Sequence, residues 1–281
     1  MRRWNGSLVA LLLAMLIATG PAAADDAPAL TALVQFRTEG MPITGPFEVS
    51  QVLARFPPGV CTPMHTNAGQ VVITVLTGVQ ARIGVGPGSD PYTAGQSWVE
   101  MPGRTYQACN TGTVDSTSLA TYLLPKGGAI STPLPGQTQA PGPLTLAQSR
   151  VDGLPITGPF DVVQNLLQFA PGACTGVHTH AGQVVVTVVD GTITARNPEG
   201  TQAYSAGQSF VEAATSPAHE ACATASTNAT IMVAYLLPKG SPIADPSVAA
   251  PSSSPAASAP PAPPRTGGGG EAAYIRRLGD G

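Results

Sequence analysis

Two halves of this sequence repeat each other, and the duplication limits what the chain can fold into. Residues 40–49 read GMPITGPFEV and return at 153–162 as GLPITGPFDV, and residues 122–127, YLLPKG, return unchanged at 235–240. The offset of 113 residues is the length of a whole domain and is too long for a solenoid or propeller repeat. The chain therefore contains two copies of one domain.

The residues inside each copy favour β-strands. Residues 71–76 and 184–189 are short apolar runs rich in β-branched side chains, and each run ends in a turn signal, Thr77-Gly78 or Asp190-Gly191. The chain contains 32 glycines and 29 prolines, which suits many short strands joined by turns rather than long helices. We predict an all-β fold.

The first residues have the pattern of a targeting segment. Arg2 and Arg3 precede the apolar run 8–18, and the three alanines at 22–24 form a cleavage site before Asp25. The apolar run is shorter than the roughly 20 residues of a spanning helix, although an uncleaved membrane anchor is the alternative. We expect a signal peptide over residues 1–24, an exported protein in the periplasm or outside the cell, and no membrane contact after cleavage.

The four cysteines follow the repeat. Cys61 corresponds to Cys174 and Cys109 to Cys222, and the two cysteines of each copy are 48 residues apart. An even number of cysteines in an exported protein favours disulfides, and the pairing within each copy is the simplest of three connectivities. Metal ligation by cysteine is the alternative, but the Cys-x-x-Cys spacing is absent.

The chain has only four histidines, and three of them lie in the second copy. His178 and His180 are two residues apart, so a strand would place both imidazoles on one side. His219 lies three residues before Cys222, while His178 lies four residues after Cys174. Antiparallel neighbouring strands would therefore bring the three imidazoles together beside a disulfide. The alternative is three ordinary, partly buried histidines.

These residues resemble the two motifs of the cupin superfamily. The first motif has the form G-x5-H-x-H-x3/4-E-x6-G, and Gly172, His178, His180 and Gly191 match it. The second motif contains one histidine, and His219 matches it. The resemblance implies two tandem cupin barrels, each a double-stranded β-helix or jelly roll, in a bicupin similar to the quercetin 2,3-dioxygenases.

The resemblance also implies domain boundaries. Cupin barrel 1 is expected over residues 38–127, a loop-rich linker over 128–150 and cupin barrel 2 over 151–240. The tail from 241 to 281 is rich in proline, alanine, serine and glycine, and we expect it to be disordered.

The second copy departs from the family pattern at the glutamate ligand. Val184 occupies that position, and the neighbouring Gln183 is a candidate ligand through its carbonyl oxygen, although strand parity argues against it. Glu100 and Glu212 correspond between the copies, and we interpret them as matched surface or turn carboxylates. The predicted metal ligands are therefore His178, His180, His219 and Gln183.

The first copy departs further. His65 is retained, but Asn67 and Tyr106 stand where the second copy has His180 and His219, and Gln70 corresponds to Gln183. An imidazole with an amide and a phenol is a poor ligand set for a transition metal. We expect a degenerate, metal-free site in barrel 1.

Three functions remain open at this point. The first is a bicupin that binds a divalent transition metal (Fe, Mn, Cu, Ni or Zn) and a small-molecule ligand. The second is a metal-dependent, quercetinase-like dioxygenase acting on a small enol or aromatic substrate. The third is a non-catalytic structural or binding module with vestigial sites. The net charge of −3 gives no basic surface for nucleic acid, and a homo-oligomer is possible.

Overall fold

The computed structural model describes residues 30–41, 45–84, 89–136, 141–156 and 159–245. The expected signal peptide lies outside these ranges, as does the expected tail from residue 246 onward. All helix or strand elements in the described ranges are β-strands, so the predicted all-β class is confirmed. No helix in the described ranges is long and apolar enough to cross a membrane.

Strands β1 to β10 fall in the first half of the chain: β1 Leu30–Met41, β2 Gly45–Phe56, β3 His65–Thr66, β4 Gln70–Thr77, β5 Val79–Gly84, β6 Ser89–Thr93, β7 Ser97–Glu100, β8 Thr105–Asn110, β9 Ser116–Leu124 and β10 Thr132–Pro133. Strands β11 to β18 fall in the second half: β11 Leu144–Ile156, β12 Phe160–Phe169, β13 Gln183–Asp190, β14 Thr192–Asn197, β15 Gly200–Ser205, β16 Ser209–Glu212, β17 Glu220–Ala223 and β18 Ala229–Pro238.

Each repeat is a jelly roll. In the first repeat one sheet has the order β11-β2-β9-β4-β7 and the other has the order β10-β3-β8-β5-β6. In the second repeat the sheets are β1-β12-β18-β13-β16 and β15-β14-β17, and a bridge between His178 and His219 extends the smaller sheet. With the His178 segment counted in the smaller sheet, and apart from the hairpins β5–β6 and β14–β15, successive strands of each repeat alternate between two antiparallel sheets, which is the jelly-roll arrangement. The predicted pair of jelly-roll barrels is confirmed.

The two repeats exchange their first strands. β1 precedes the first repeat in sequence but pairs with β12 of the second, from Leu30 opposite Phe169 to Met41 opposite Phe160. In the same way β11 pairs with β2 of the first repeat. The expected linker over 128–150 therefore differs from the structure, because it contains β10 and the first seven residues of β11. The sequence pattern missed this exchange because pairing partners are set by tertiary contacts.

Alternation along the central strands divides the core into layers. Val184 and Val186 of β13 belong to the core of the second repeat, and Val71 of β4 belongs to that of the first. Val185 and Val72, on the opposite faces, pack in a third cluster formed by both repeats. The rings of Phe47 and Phe160 stack within this shared cluster, with centroids 5.8 Å apart. The two barrels are therefore fused through a buried apolar interface.

Both disulfides form within the repeats, as expected. Cys61 bonds to Cys109 and Cys174 bonds to Cys222, and no cysteine is left free. In the second repeat the bond joins the segment leading to His178 with β17, the strand that follows His219. The disulfide thus ties together the two chain segments that carry the three histidines.

Candidate metal centre

Four side chains of the second repeat converge at one point. His178 and His180 precede β13, His219 precedes β17, and Glu212 is the last residue of β16. The backbones of His178 and His219 donate hydrogen bonds to each other, at 2.9 and 3.0 Å. This bridge places the His-x-His segment beside His219, as the sequence predicted.

Glycines on either side of the paired histidines meet two different backbone requirements. Gly176, two residues before His178, has a φ of +76°, which favours glycine. Gly182 lies two residues after His180, and a Cβ there would stand 2.0 Å from the carbonyl oxygen of Leu236. Any side chain at Gly182 would push the start of β13 away from β18, and would therefore displace His180.

The distances within this group are those of a ligand cluster. One nitrogen or oxygen atom from each of the four side chains lies within 4.8 Å of the other three. Nε2 of His180 is 3.1 Å from Nε2 of His178 and 3.1 Å from Oε2 of Glu212. Nε2 of His219 is 3.3 Å from the same oxygen. His180 and His219 are buried, and only 12% of the Glu212 side chain is exposed.

The other ring nitrogen of each histidine contacts a backbone carbonyl oxygen. Nδ1 of His178 lies 2.9 Å from the oxygen of Gly176, and Nδ1 of His219 lies 2.9 Å from that of Pro217. Nδ1 of His180 lies 2.5 Å from the oxygen of Ile243. Because a carbonyl can only accept, each Nδ1 carries a proton and donates it. This is the arrangement that orients metal-binding histidines, with Nε2 left to act as ligand.

When the three imidazoles are neutral, their Nε2 atoms and the carboxylate oxygen are all acceptors, so they repel one another unless a cation lies between them. Nε2 of His219 is buried, and within the described part of the chain no group forms a well-aligned hydrogen bond with it, although Oε2 of Glu212 lies 3.3 Å away. A divalent ion would satisfy the four atoms together, and imidazole nitrogen with carboxylate oxygen is a common donor set for transition metals. The residues present therefore fit a metal ion.

In the metal-free protein, protonation of His219 compensates part of the negative charge of Glu212. Burial disfavours the charged form of His219, but attraction to Glu212 outweighs it and raises the pKa of His219. Burial and the neighbouring imidazoles lower the pKa of His178. Burial acts to raise the pKa of Glu212, but His180 and His219 hold it at about 2. Glu212 is therefore a carboxylate at every physiological pH.

The sequence interpretation of Glu212 and Glu100 as surface or turn carboxylates is wrong. Glu212 pairs directly with Val184 across β13 and β16, and Glu100 pairs in the same way with Val71. Glu100 is only 3% exposed. The carboxylate missing from the cupin motif is thus supplied by the neighbouring strand. The repeated AGQS(W/F)VE segment was the signal that could have revealed it.

Gln183, the fourth predicted ligand, begins β13 next to Val184, the residue that pairs with Glu212. Val184 faces the core of the second repeat, while Val185 faces the cluster between the repeats. Side chains alternate along β13, so Gln183 has the direction of Val185 and lies on the opposite face from Val184. Strand parity therefore determines which neighbour of the motif position can reach the histidines.

The first repeat forms a hydrogen-bonded cluster at the equivalent place. The amide of Asn67 donates to Oε2 of Glu100 at 2.7 Å, and the indole of Trp98 donates to Oε1 at 3.0 Å. Nε2 of His65 lies 3.7 Å from Oε2 of Glu100. Burial acts to lower the pKa of His65, but hydrogen bonding to Glu100 raises it overall. Here side-chain donors take the position that a metal would occupy.

The remaining residues of the predicted degenerate site are engaged elsewhere. The hydroxyl of Tyr106 accepts a hydrogen bond from the backbone N–H of Met101 at 3.1 Å, although Tyr106 pairs in register with His65. The amide of Gln70 contacts the sulfur of Met101 at 3.8 Å. In the described part of the first repeat, no three His, Cys, Asp or Glu side chains form a group that could hold an ion.

Each barrel has the jelly-roll topology, and the two barrels are the two copies of the 113-residue repeat. The chain has the fold of two tandem jelly rolls. No protein-family model matches the sequence, and no curated protein matches it.

The similar structures are distant in sequence. AerE from Microcystis aeruginosa is 14% identical, with 71% of this chain and 100% of that chain covered and a TM-score of 0.42. Oxalate decarboxylase from Bacillus subtilis, described with Mn(II) centres, is 11% identical over 74% of this chain and 78% of that chain, with a TM-score of 0.44. Vicilin from hazelnut, Corylus avellana, is 11% identical over 73% of this chain and 85% of that chain, with a TM-score of 0.45. These likenesses concern the fold alone.

Proposed function

We propose that the second barrel of this bicupin binds a divalent transition metal through His178, His180, Glu212 and His219. The observation that carries the proposal is the convergence of three Nε2 atoms and one carboxylate oxygen within 4.8 Å of one another. The protonated Nδ1 atoms, each directed at a carbonyl, support it, because they leave all three Nε2 atoms free to bind an ion.

The donor set leaves the identity of the ion open among Fe, Mn, Cu, Ni and Zn. Imidazole suits iron, copper, nickel and zinc, whereas carboxylate oxygen also suits manganese. Four protein ligands leave positions free on a six-coordinate ion, and a small-molecule ligand or substrate would use them. Glu212 and His219 line a surface cleft whose wall includes the stacked rings of Tyr204 and Phe210, 4.3 Å apart.

A metal-dependent dioxygenase acting on a small enol or aromatic substrate is the second candidate. Glu212 favours it, because a carboxylate among the ligands was the feature that the sequence motif lacked. A carboxylate beside the ion can also accept a proton from an enol. A purely structural module with vestigial sites would account for the first barrel, where Asn67 and Trp98 donate hydrogen bonds to the carboxylate of Glu100. It does not account for the four side chains that converge in the second barrel.

Export of the protein is part of the proposal. Two disulfides within the repeats are typical of proteins that fold in an oxidising compartment. The arginines and apolar run at the start of the sequence support the same location.

The test is the metal content of the mature protein, purified without a histidine tag and measured by inductively coupled plasma mass spectrometry. We expect about one ion per chain. The double variant His178→Ala/His180→Ala should lose the ion, while His65→Ala, the matched change in the first barrel, should keep it. A wild-type chain that binds none of the five metals after reconstitution would overturn the proposal. Oxygen uptake on enol substrates, measured on the loaded protein, then separates binding from dioxygenase chemistry.

A further inference from the structure

His180 differs from the other two histidines in what fixes its ring. His178 and His219 donate from Nδ1 to the carbonyl two residues earlier in their own segments. His180 donates instead to the carbonyl of Ile243, which is 63 residues away in sequence. The orientation of His180 therefore depends on a separate piece of chain.

That piece is the segment that follows β18, residues 239–245, which we name the strap. The backbones of Asp245 and Thr179 are hydrogen bonded in both directions, at 3.0 and 3.4 Å. The side chain of Ile243 packs against the core of the second repeat. The beginning of the expected disordered tail is thus ordered through Asp245, and it lies against the segment that carries the histidines.

Arg37 of the exchanged strand β1 holds the other end of the strap. Its guanidinium donates to Oδ2 of Asp161 at 2.6 Å and to the carbonyl of Ser241 at 2.7 Å. The fully buried Asp161 also accepts from the backbone N–H of Gly240 at 2.9 Å and from that of Gly40 at 3.0 Å. One carboxylate thereby joins β1, β12 and the strap.

We infer that Arg37 is a positioning residue of the metal centre, acting through the strap and the Ile243 carbonyl on His180. Docking of the exchanged strand at the start of the chain is then coupled to the metal affinity of the second barrel. This inference rests on the proposed metal-binding function. It adds to that function a residue that lies outside the ligand set and belongs to the other half of the duplicated sequence.

The first barrel has an equivalent arrangement, but the residue that corresponds to His180 is not a histidine. Arg150 of β11 donates to Glu48 at 2.6 Å and to the carbonyl of Gly128 at 2.8 Å, and Glu48 accepts from the N–H of Gly127 at 2.7 Å. The residue equivalent to His180 is Asn67, whose amide is directed at Glu100. Arg150 is therefore a matched control, because its loss removes the corresponding contacts to a carboxylate and a backbone carbonyl from the opposite repeat.

The experiment compares Arg37→Ala with Arg150→Ala in the mature full-length chain. Zinc affinity is measured by competition with a chelating dye, and the imidazoles are observed in long-range ¹H–¹⁵N spectra near pH 8, where histidine is ordinarily neutral. With only four histidines the spectrum can be assigned by single substitutions. We expect Arg37→Ala to weaken zinc binding about 10- to 100-fold and to mix the two tautomers of His180. Arg150→Ala should leave both unchanged.

A second variant separates positioning from loss of folding. Asp245→Pro removes the N–H that bonds to Thr179 and leaves Arg37 in place. It should reproduce the tautomer change at His180 with the melting temperature nearly retained. Zinc affinity within twofold of wild type and an unchanged His180 tautomer in both variants would overturn the inference. A wild-type chain that binds none of the five metals would instead overturn the metal proposal, while the His180 tautomer in the metal-free protein would still test the strap.

Discussion

Glu212 lies directly opposite Val184 in the antiparallel pair formed by β13 and β16. The cupin motif has its glutamate at the position of Val184, and here the carboxylate comes from the strand next to it. Residues directly opposite in an antiparallel pair share one face of the sheet and have Cβ atoms about 5 Å apart. A ligand can therefore move from one strand to its partner and still reach the same histidines.

Replacing Glu212 by glutamine should weaken metal binding with little change of shape. The substitution removes the negative charge that two histidines share, so we expect the affinity for a divalent ion to fall by at least about 10- to 100-fold. Isothermal titration with zinc or manganese measures the change. Unaltered affinity in this variant would exclude Glu212 from the ligand set.

The matched substitution Glu100→Gln should affect stability and leave metal content unchanged. The buried Glu100 accepts from both Asn67 and Trp98, and a glutamine would direct its own N–H groups at one of these donors. An unsatisfied buried group costs about 1–3 kcal/mol. Thermal unfolding followed by circular dichroism should report this loss, and a fall in bound metal would instead indicate that the first barrel contributes a site.

The first barrel should become a metal site after two substitutions, Asn67→His and Tyr106→His. His65 and Glu100 already occupy equivalent positions, and the change restores three histidines and one glutamate. We expect about two ions per chain in place of one. Asn67→His alone is the control and should bind more weakly. A folded double variant that still held a single ion would mean that the first barrel differs in backbone geometry.

Metal binding should release protons and weaken as the pH falls. The pKa of His219 is raised above its ordinary value in the metal-free protein, so His219 keeps a proton to a higher pH than a free imidazole does. A metal must displace that proton, and the apparent affinity should drop as the pH falls through the raised pKa. Titration calorimetry in buffers of different ionisation enthalpy counts the released protons. A heat that is independent of the buffer at pH 7 would contradict this.

The two disulfides should differ in their effect on the metal site. Each closes a loop of 48 residues, so removing either one should cost about 4 kcal/mol of stability in the chain-entropy model. Only Cys174–Cys222 ties the segments that carry the histidines. We expect Cys174→Ser/Cys222→Ser to weaken metal binding in addition, and Cys61→Ser/Cys109→Ser to leave it intact. Equal metal affinity in the two folded variants would show that the Cys174–Cys222 bond does not affect the metal site.

The repeat and the strand periodicity were sufficient to predict two copies of an all-β domain, the disulfides and the convergence of His178, His180 and His219, whereas the jelly rolls were predicted from the resemblance to the cupin motifs. The role of Glu212 was missed because ligand positions were read along one strand, whereas the pairing of β13 with β16 is set by the fold. The strap was missed for a similar reason. Residues 241–245 have the composition of a tail, and tertiary contacts with Thr179, Arg37, His180 and the core order them.

The reciprocal exchange of β1 and β11 makes the two halves of the chain depend on each other for a complete sheet. The strand that completes the sheet of the second barrel is encoded ahead of the first, and the reverse holds for β11. Each half encodes one of its two sheets alone, but the sheet that contains β2 or β12 is completed by a strand of the other half. An isolated half would therefore leave a long edge strand unpaired. Substitutions within one barrel leave this exchange in place, whereas deletion of either half would remove a strand from the other.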